Sequence, residues 1–136
     1  MMMRKLASVS SSATVVAAVL GALMSSARAD VVVVDNDKTV EVDCAKDPAI
    51  NLLGNNITVK AKGVCAKITI AGNHETVTGS AKVVYVAGNH NTVVLAAADD
   101  VTVDGNNNTV SVARSVTRKA PRITGAGTDN HLKGPK

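Results

Sequence analysis

The sequence predicts an all-β fold, a short parallel β-solenoid of about five coils, and three observations support this prediction. A Gly-Asn motif occurs at Gly54, Gly72, Gly88 and Gly105, and a degraded fifth copy begins at Gly127. Apolar and polar residues alternate on both sides of each motif, which is typical of strands with one buried face. Val and Thr are abundant and Tyr85 is the only aromatic residue, so Val, Ile, Leu and Ala must form the core.

Each copy reads as a strand, a Gly-Asn turn and a second strand. Gly reaches positive φ without steric cost, and Asn tolerates the left-handed region, so both suit the turn. Equivalent Asn side chains in stacked copies are expected to hydrogen-bond to the coils above and below. The predicted inward pairs before the turns are Ile50 and Leu52, Ile68 and Ile70, Val84 and Val86, and Val101 and Val103; those after the turns are Val59 and Ala61, Val77 and Gly79, Val93 and Leu95, and Val110 and Val112.

The main alternative is an antiparallel β-sandwich or meander in which the Gly-Asn turns are hairpins. One short unit cannot bury its own apolar face, whereas stacked units bury a continuous interior. The inward pairs and the Asn positions keep the same register in successive units. A meander does not require this, so the repeat favours the solenoid.

Residues 1–29 have the pattern of a cleavable signal peptide: basic Arg4 and Lys5, an apolar stretch over 13–24, and Ala27-Arg28-Ala29 before the cleavage point. The apolar stretch falls short of the roughly 20 residues that a spanning helix needs. We therefore expect no membrane span in the mature chain and a secreted or periplasmic location. Cleavage would leave 12 basic and 11 acidic residues, so the high pI does not indicate a nucleic-acid partner.

The remaining chain is predicted to comprise an acidic N-terminal cap segment (30–43), the solenoid (44–132) and a basic tail (133–136). Residues 30–47 carry a net charge of −4 and residues 114–136 one of +5. Charged ends prevent exposed strand edges from pairing with other chains, which is the favoured interpretation. The alternative is head-to-tail self-association through the opposite charges.

The two cysteines, Cys44 and Cys65, are predicted to form a disulfide, since exported chains with an even cysteine count commonly do. Two free thiols or half of a metal site are the alternatives. On the chain-entropy model a loop of this length contributes roughly 3 kcal/mol.

Cys44, the Gly54-Asn55-Asn56 turn, Cys65 and the following Ile/Val-x-Ile/Val-x-Gly-Asn-x-x-Thr-Val units resemble the bacterial exported proteins grouped as domain-of-unknown-function family 3060. The resemblance covers about residues 40 to 132. It implies export and a repetitive β fold, and it implies no established activity.

Few residues are candidates for chemistry. His74 and His90 occupy the same slot of adjacent units and are weak candidates for a divalent metal site; the ordinary interpretation is that His replaces Asn in an exposed turn. Asp99, Asp100 and Asp104 cluster near one return turn, and paired carboxylates can serve glycoside hydrolysis or calcium-dependent lyase chemistry; the ordinary interpretation is that Asp is commonplace at turns. No catalytic motif or cofactor signature is present in the sequence. We therefore expect a non-enzymatic structural or interaction module with an unknown envelope or extracellular partner, the alternative being a small-ligand or metal binder that uses the Asn/His turns.

Overall fold

A computed structural model of the chain describes residues 30–136, so the predicted signal peptide at 1–29 lies outside the described residues. Strands, turns and bends account for this part of the chain, and it contains no helix. The nine strands are β1 Val31–Val33, β2 Thr39–Asp43, β3 Ala49–Leu52, β4 Thr58–Ile70, β5 Thr76–Asn89, β6 Thr92–Asn106, β7 Thr109–Val112, β8 Arg122–Ala126 and β9 His131–Lys133.

Every pairing between these strands is parallel. Strands β4, β5 and β6 are long because each continues around a corner from one coil into the next. The first face of the solenoid holds the strand segments before the Gly-Asn turns, and the second face holds those after them. The predicted parallel solenoid is confirmed, and the antiparallel sandwich is wrong for the described residues.

The number of turns follows from the strand register on the first face. Val31 pairs with Ile50, and the column continues through Ile68, Val84 and Val101 to Ile123. The chain thus completes about five turns and has six strand levels on each face. We number the levels coils 1 to 6. The degraded fifth copy of the motif lies between β8 and β9, so residues 122–133 form coil 6 instead of a loose tail.

Residues 30–43, predicted as a cap segment, carry both strands of coil 1. β1 pairs with β3, and β2 pairs with β4 over five residues from Thr39 to Asp43. Asp35 stands here where the other coils have Gly, which is why the Gly-Asn count begins one coil too late. The remainder of the motif is present: Asn36-x-x-Thr39-Val40 repeats Asn55-x-x-Thr58-Val59.

The core is a stack of aliphatic side chains from both faces. The predicted inward pairs are buried in it, except that Ala61 and Gly79 are half-buried. The outermost members are partly exposed: Val31 and Val40 in coil 1, and Ile123 and Leu132 in coil 6. The apolar stack is therefore best covered in its middle coils.

The repeated glycines are required by the close approach of successive coils. A Cβ on Gly72 would lie 1.8 Å from the carbonyl oxygen of Gly54, and one on Gly88 would lie 1.9 Å from that of Gly72. Positive φ, the reason that the sequence suggests for these glycines, is therefore only part of the explanation. The residue two positions after each glycine, or after Asp35 in coil 1, has the left-handed conformation. These residues are Asp37, Asn56, His74, His90, Asn107 and Asp129, with φ from 56° to 60°.

Candidate functional site

The turns between the two faces hold most of the polar side chains that the repeat aligns. The first aligned column, which we call the outer Asn column, contains Asn36, Asn55, Asn73, Asn89 and Asn106, and ends at Thr128. Asn55 Oδ1 accepts hydrogen bonds from the backbone and side-chain amides of Asn73, at 3.1 and 3.2 Å. The same arrangement joins Asn73 to Asn89, at 3.0 and 3.2 Å. The predicted amide ladder is confirmed.

A second ladder lies inside the turns, and we call it the inner column: Ile57, Glu75, Asn91, Asn108 and Asn130 in coils 2 to 6. Its bonds run towards the preceding coil. Asn91 Oδ1 accepts from the Glu75 backbone amide at 2.8 Å, and Asn91 Nδ2 donates to the Gly72 carbonyl at 3.1 Å. Asn108 repeats both bonds one coil later, and Asn130 donates to Gly105.

Glu75 interrupts the inner column. Its side chain is fully buried, and neither carboxylate oxygen has a hydrogen-bond partner in the described part of the chain. Loss of hydration raises the pKa of the Glu75 carboxyl to about 7. The nearby Ile57 backbone amide acts weakly in the opposite direction, although it does not reach hydrogen-bonding geometry with either carboxylate oxygen. In coils 3 to 6, Glu75 is therefore the one inner-column residue whose side chain does not make the hydrogen bonds that the Asn side chains make.

The structure brings His74 and His90 together on the outer side of the turns. Their rings stack with centroids 5.1 Å apart and planes 9° from parallel. The lone pairs of an imidazole lie in its ring plane, so two stacked rings direct their nitrogens side by side instead of towards one shared ion. No cluster of three or more potential metal ligands occurs among residues 30–136. The stack thus fits a structural role in the turn column.

Cys44 and Cys65 form a disulfide in the structure, with a Cα–Cα distance of 4.8 Å. Both residues are buried. Cys44 follows β2 at the end of coil 1, where its amide donates to the Lys62 carbonyl at 2.9 Å. Cys65 lies in β4 beyond the corner of coil 2. The bond therefore ties coil 1, which has one neighbouring coil within residues 30–136, to the next turn of the chain.

Asp99 and Asp100 of the predicted Asp cluster secure the loop between β7 and β8, whereas Asp104 lies exposed further along β6, opposite Ala126. Asp99 accepts hydrogen bonds from the Val116 and Thr117 amides and from the Thr117 hydroxyl, at 2.8, 2.8 and 2.6 Å. The Thr117 hydroxyl and the backbone amides lower the pKa of Asp99. Asp100 pairs with Arg118 at 3.2 Å. These contacts hold the loop over the corner between coils 5 and 6.

Two further predictions concern membranes and ends. No helix of sufficient length and apolarity to cross a membrane occurs in residues 30–136. The predicted basic tail begins within β9, because Lys133 is the last residue of that strand. Within residues 30–136, β1 and β2 pair only with coil 2, and β8 and β9 only with coil 5. The charged residues of 30–43 and 122–133 lie on these edge coils, whereas Arg114, Arg118 and Lys119 lie in the loop between β7 and β8.

The chain is thus a β-solenoid repeat protein with two polar ladders in its turns. Residues 73–129 match the family described as Protein of unknown function (DUF3060), which bears out the resemblance over coils 3 to 6. The match is narrower than the residues 40 to 132 expected from sequence, and both cysteines lie outside it. Neither a curated protein nor a solved structure matches the chain.

Sequence reasoning missed the inner column and, with it, Glu75. Period-two alternation describes strands, whereas these residues lie in a turn whose left-handed residue reverses the direction of the next side chain. The available signal was alignment: Glu75 occupies the position of Asn91, Asn108 and Asn130. A charged residue aligned with three amides is an exception that the repeat itself exposes.

Proposed function

We propose that this chain is an exported, non-enzymatic scaffold that contacts a partner in the cell envelope or outside the cell. The observation that carries the proposal is the use of the aligned polar groups in the turns. The Asn side chains bond the coils to one another, and Asp99 and Asp100 hold a loop in place. A molecule whose polar residues serve stacking is suited to display its outer faces rigidly.

Two observations support export, and a third concerns activity. The first 29 residues have the signal-peptide pattern. The disulfide is buried, and such bonds persist in oxidising compartments. The family that residues 73–129 match is described only as of unknown function, so it supplies no competing activity.

The proposal is tested by expressing the full chain in a bacterium and separating cytoplasm, periplasm and medium. We expect a mature protein that begins at Asp30, lies outside the cytoplasm and has no thiol that alkylates before reduction. A control chain in which Ala27 and Ala29 are replaced by bulky residues should stay unprocessed. A full-length, reduced protein in the cytoplasm would contradict export. Turnover of hydrolase or lyase substrates that disappears in Asp99→Asn would contradict a non-enzymatic role.

The ends of the solenoid are better suited to protection than to association. If a second copy continued the register, Lys133 would face its Glu41, which is favourable. However, its Asp35 would occupy the position where coils 2 to 6 have a glycine with no room for a Cβ. We therefore expect a monomer in light scattering at both 0.1 M and 1 M salt. Salt-sensitive oligomers at high protein concentration would instead support head-to-tail association.

A further inference from the structure

The inner column shows which hydrogen bond the side chain at position 75 is expected to make. In coils 4, 5 and 6 an Asn amide group donates to the glycine carbonyl of the preceding coil, at 3.1, 2.9 and 2.8 Å. The corresponding acceptor for coil 3 is the carbonyl of Gly54. A carboxylate cannot donate a hydrogen bond, whereas a neutral carboxylic acid can. Glu75 can therefore reproduce the column's donated bond, the one to the glycine carbonyl of the preceding coil, only in its protonated form.

We propose that Glu75 is a proton-controlled joint between coils 2 and 3: the neutral acid bonds to the Gly54 carbonyl, and its ionisation breaks that bond and loosens the stack. The proton is lost to solvent, and no other bond is made or broken. The joint lies between two parts of the solenoid. Coils 1 and 2 hold Cys44, and the family match at residues 73–129 lies in coils 3 to 6.

Among residues 30–136, no ion pair involves Glu75. Ile57 lies in the same column on the side of coil 2, and the polar Asn91 lies on the side of coil 4. The next charged residue along the column is Lys38 of coil 1, beyond Ile57. Its side chain is exposed, and its Nζ lies 3.9 Å from Asp35 Oδ2. His74 is adjacent in sequence, but its ring stacks on His90 outside the turn. Burial is accordingly the main influence on the pKa of Glu75, and the Ile57 amide opposes it.

The direction of the pH effect follows from these surroundings. Burial raises the pKa of Glu75 from 4.5 to about 7 on folding. An acid whose pKa is raised in the folded state contributes full stability below pH 4.5 and loses it as the pH rises through 7. Between pH 5 and pH 8 the equilibrium constant for unfolding should increase about 70-fold through this one group. Mild acid is therefore expected to raise the free energy of unfolding.

Urea unfolding of residues 30–136 at pH 5 and pH 8 tests the proposal with Glu75→Gln, which keeps the shape and can always donate. The variant should lose most of the pH dependence and be more stable than the wild type at pH 8. Glu41→Gln, on an exposed strand position, is the matched control and should behave as the wild type. Asn91→Asp places a carboxyl one coil further and should add a pH dependence of the same sign. Equal pH dependence in Glu75→Gln and the wild type would overturn the proposal.

A direct measurement on the unaltered protein covers the case in which a variant fails to fold. The carboxyl carbon of Glu75, followed by NMR, should titrate near pH 7, and a midpoint near 4.5 would overturn the proposal. Hydrogen exchange locates the effect. Protection of the Ala71 and Thr76 amides, which bond to the Leu52 and Ile57 carbonyls of coil 2, should fall between pH 6 and pH 8 after correction for intrinsic exchange. The Thr109 amide, which bonds Asn91, should change less.

Discussion

Gly88→Ala is expected to destabilise the protein by about 4 kcal/mol or more, or to prevent folding. The new Cβ would lie 1.9 Å from the Gly72 carbonyl oxygen, and real side chains never approach backbone that closely. Coils 3 and 4 would have to separate, and this would lengthen the inter-coil hydrogen bonds of both Asn columns. Urea unfolding of residues 30–136 measures the loss.

Gly63→Ala is the matched control for that experiment. Gly63 has a φ of +75°, so alanine is strained there, but the nearest atom to its Cβ is the Ala45 nitrogen at 3.8 Å. Left-handed strain alone costs about 1–2 kcal/mol. Because its Cβ would also clash with backbone, Gly88→Ala is expected to cost clearly more stability than Gly63→Ala. Equal costs would mean that conformational freedom, and not the approach of successive coils, explains the glycines.

Replacing both cysteines by alanine is expected to cost roughly 2–5 kcal/mol, a large share of the stability of a domain of this size. Cys44 and Cys65 are 21 residues apart, and the bond restricts the unfolded chain between them. It also holds coil 1, whose β1 and β2 pair with one neighbouring coil only. The loss should therefore be accompanied by weaker hydrogen-exchange protection in residues 31–43 than in residues 92–112.

The comparison of oxidised and reduced wild-type protein is the control for this prediction, because it removes the bond without changing the side-chain volume. Reduction and the double substitution should shift the urea midpoint in the same direction. If both leave the midpoint and the exchange of residues 31–43 unchanged, the bond does not stabilise the first coil. Intact mass after alkylation verifies the state of the thiols in each sample.

The parallel stack was predictable because the repeat preserves register. The pairs Ile68 and Ile70, and Val84 and Val86, stand at equal offsets from their glycines, and the structure pairs them directly. Coil 1 was not recognised from the sequence because Asp35 replaces the glycine of the Gly-Asn motif. No coil precedes it in the described chain, so a Cβ at this position meets no carbonyl oxygen. A search for the Gly-Asn motif therefore misses the first coil, because only coils that follow another coil need the glycine.

The turns were less predictable than the strands. Sequence showed that Gly and Asn belong in a turn, but it could not show which residue takes the left-handed conformation. That residue is His74 or its equivalents, and it directs the following side chain inwards. Burial of Glu75 depends on this geometry and on the distance between coils. Both are properties of the assembled stack, so a single unit read in isolation does not reveal them.

The charged residues show a similar division. The opposite charges of the two ends were visible in the sequence, and so was the Asp99-Asp100 pair. What those carboxylates bind was not visible, because Thr117 and Arg118 are 18 residues further along the chain. Partners at that separation are determined by the coil length, and here the coil is lengthened by the loop between β7 and β8. The loop changes the spacing that the repeat would otherwise supply.

The parallel stacking of Gly-Asn coils is tested most directly by proton NMR of the mature protein, through contacts between strands on the second face. Val59, Val77, Val93 and Val110 are successive Cα partners. Parallel strands place the amide proton of one strand near the α proton of the next, so an unbroken series of such contacts from Val59 to Val110 is the predicted result. Strong contacts between α protons of facing residues, which antiparallel strands produce, would contradict the solenoid and every inference built on its ladders.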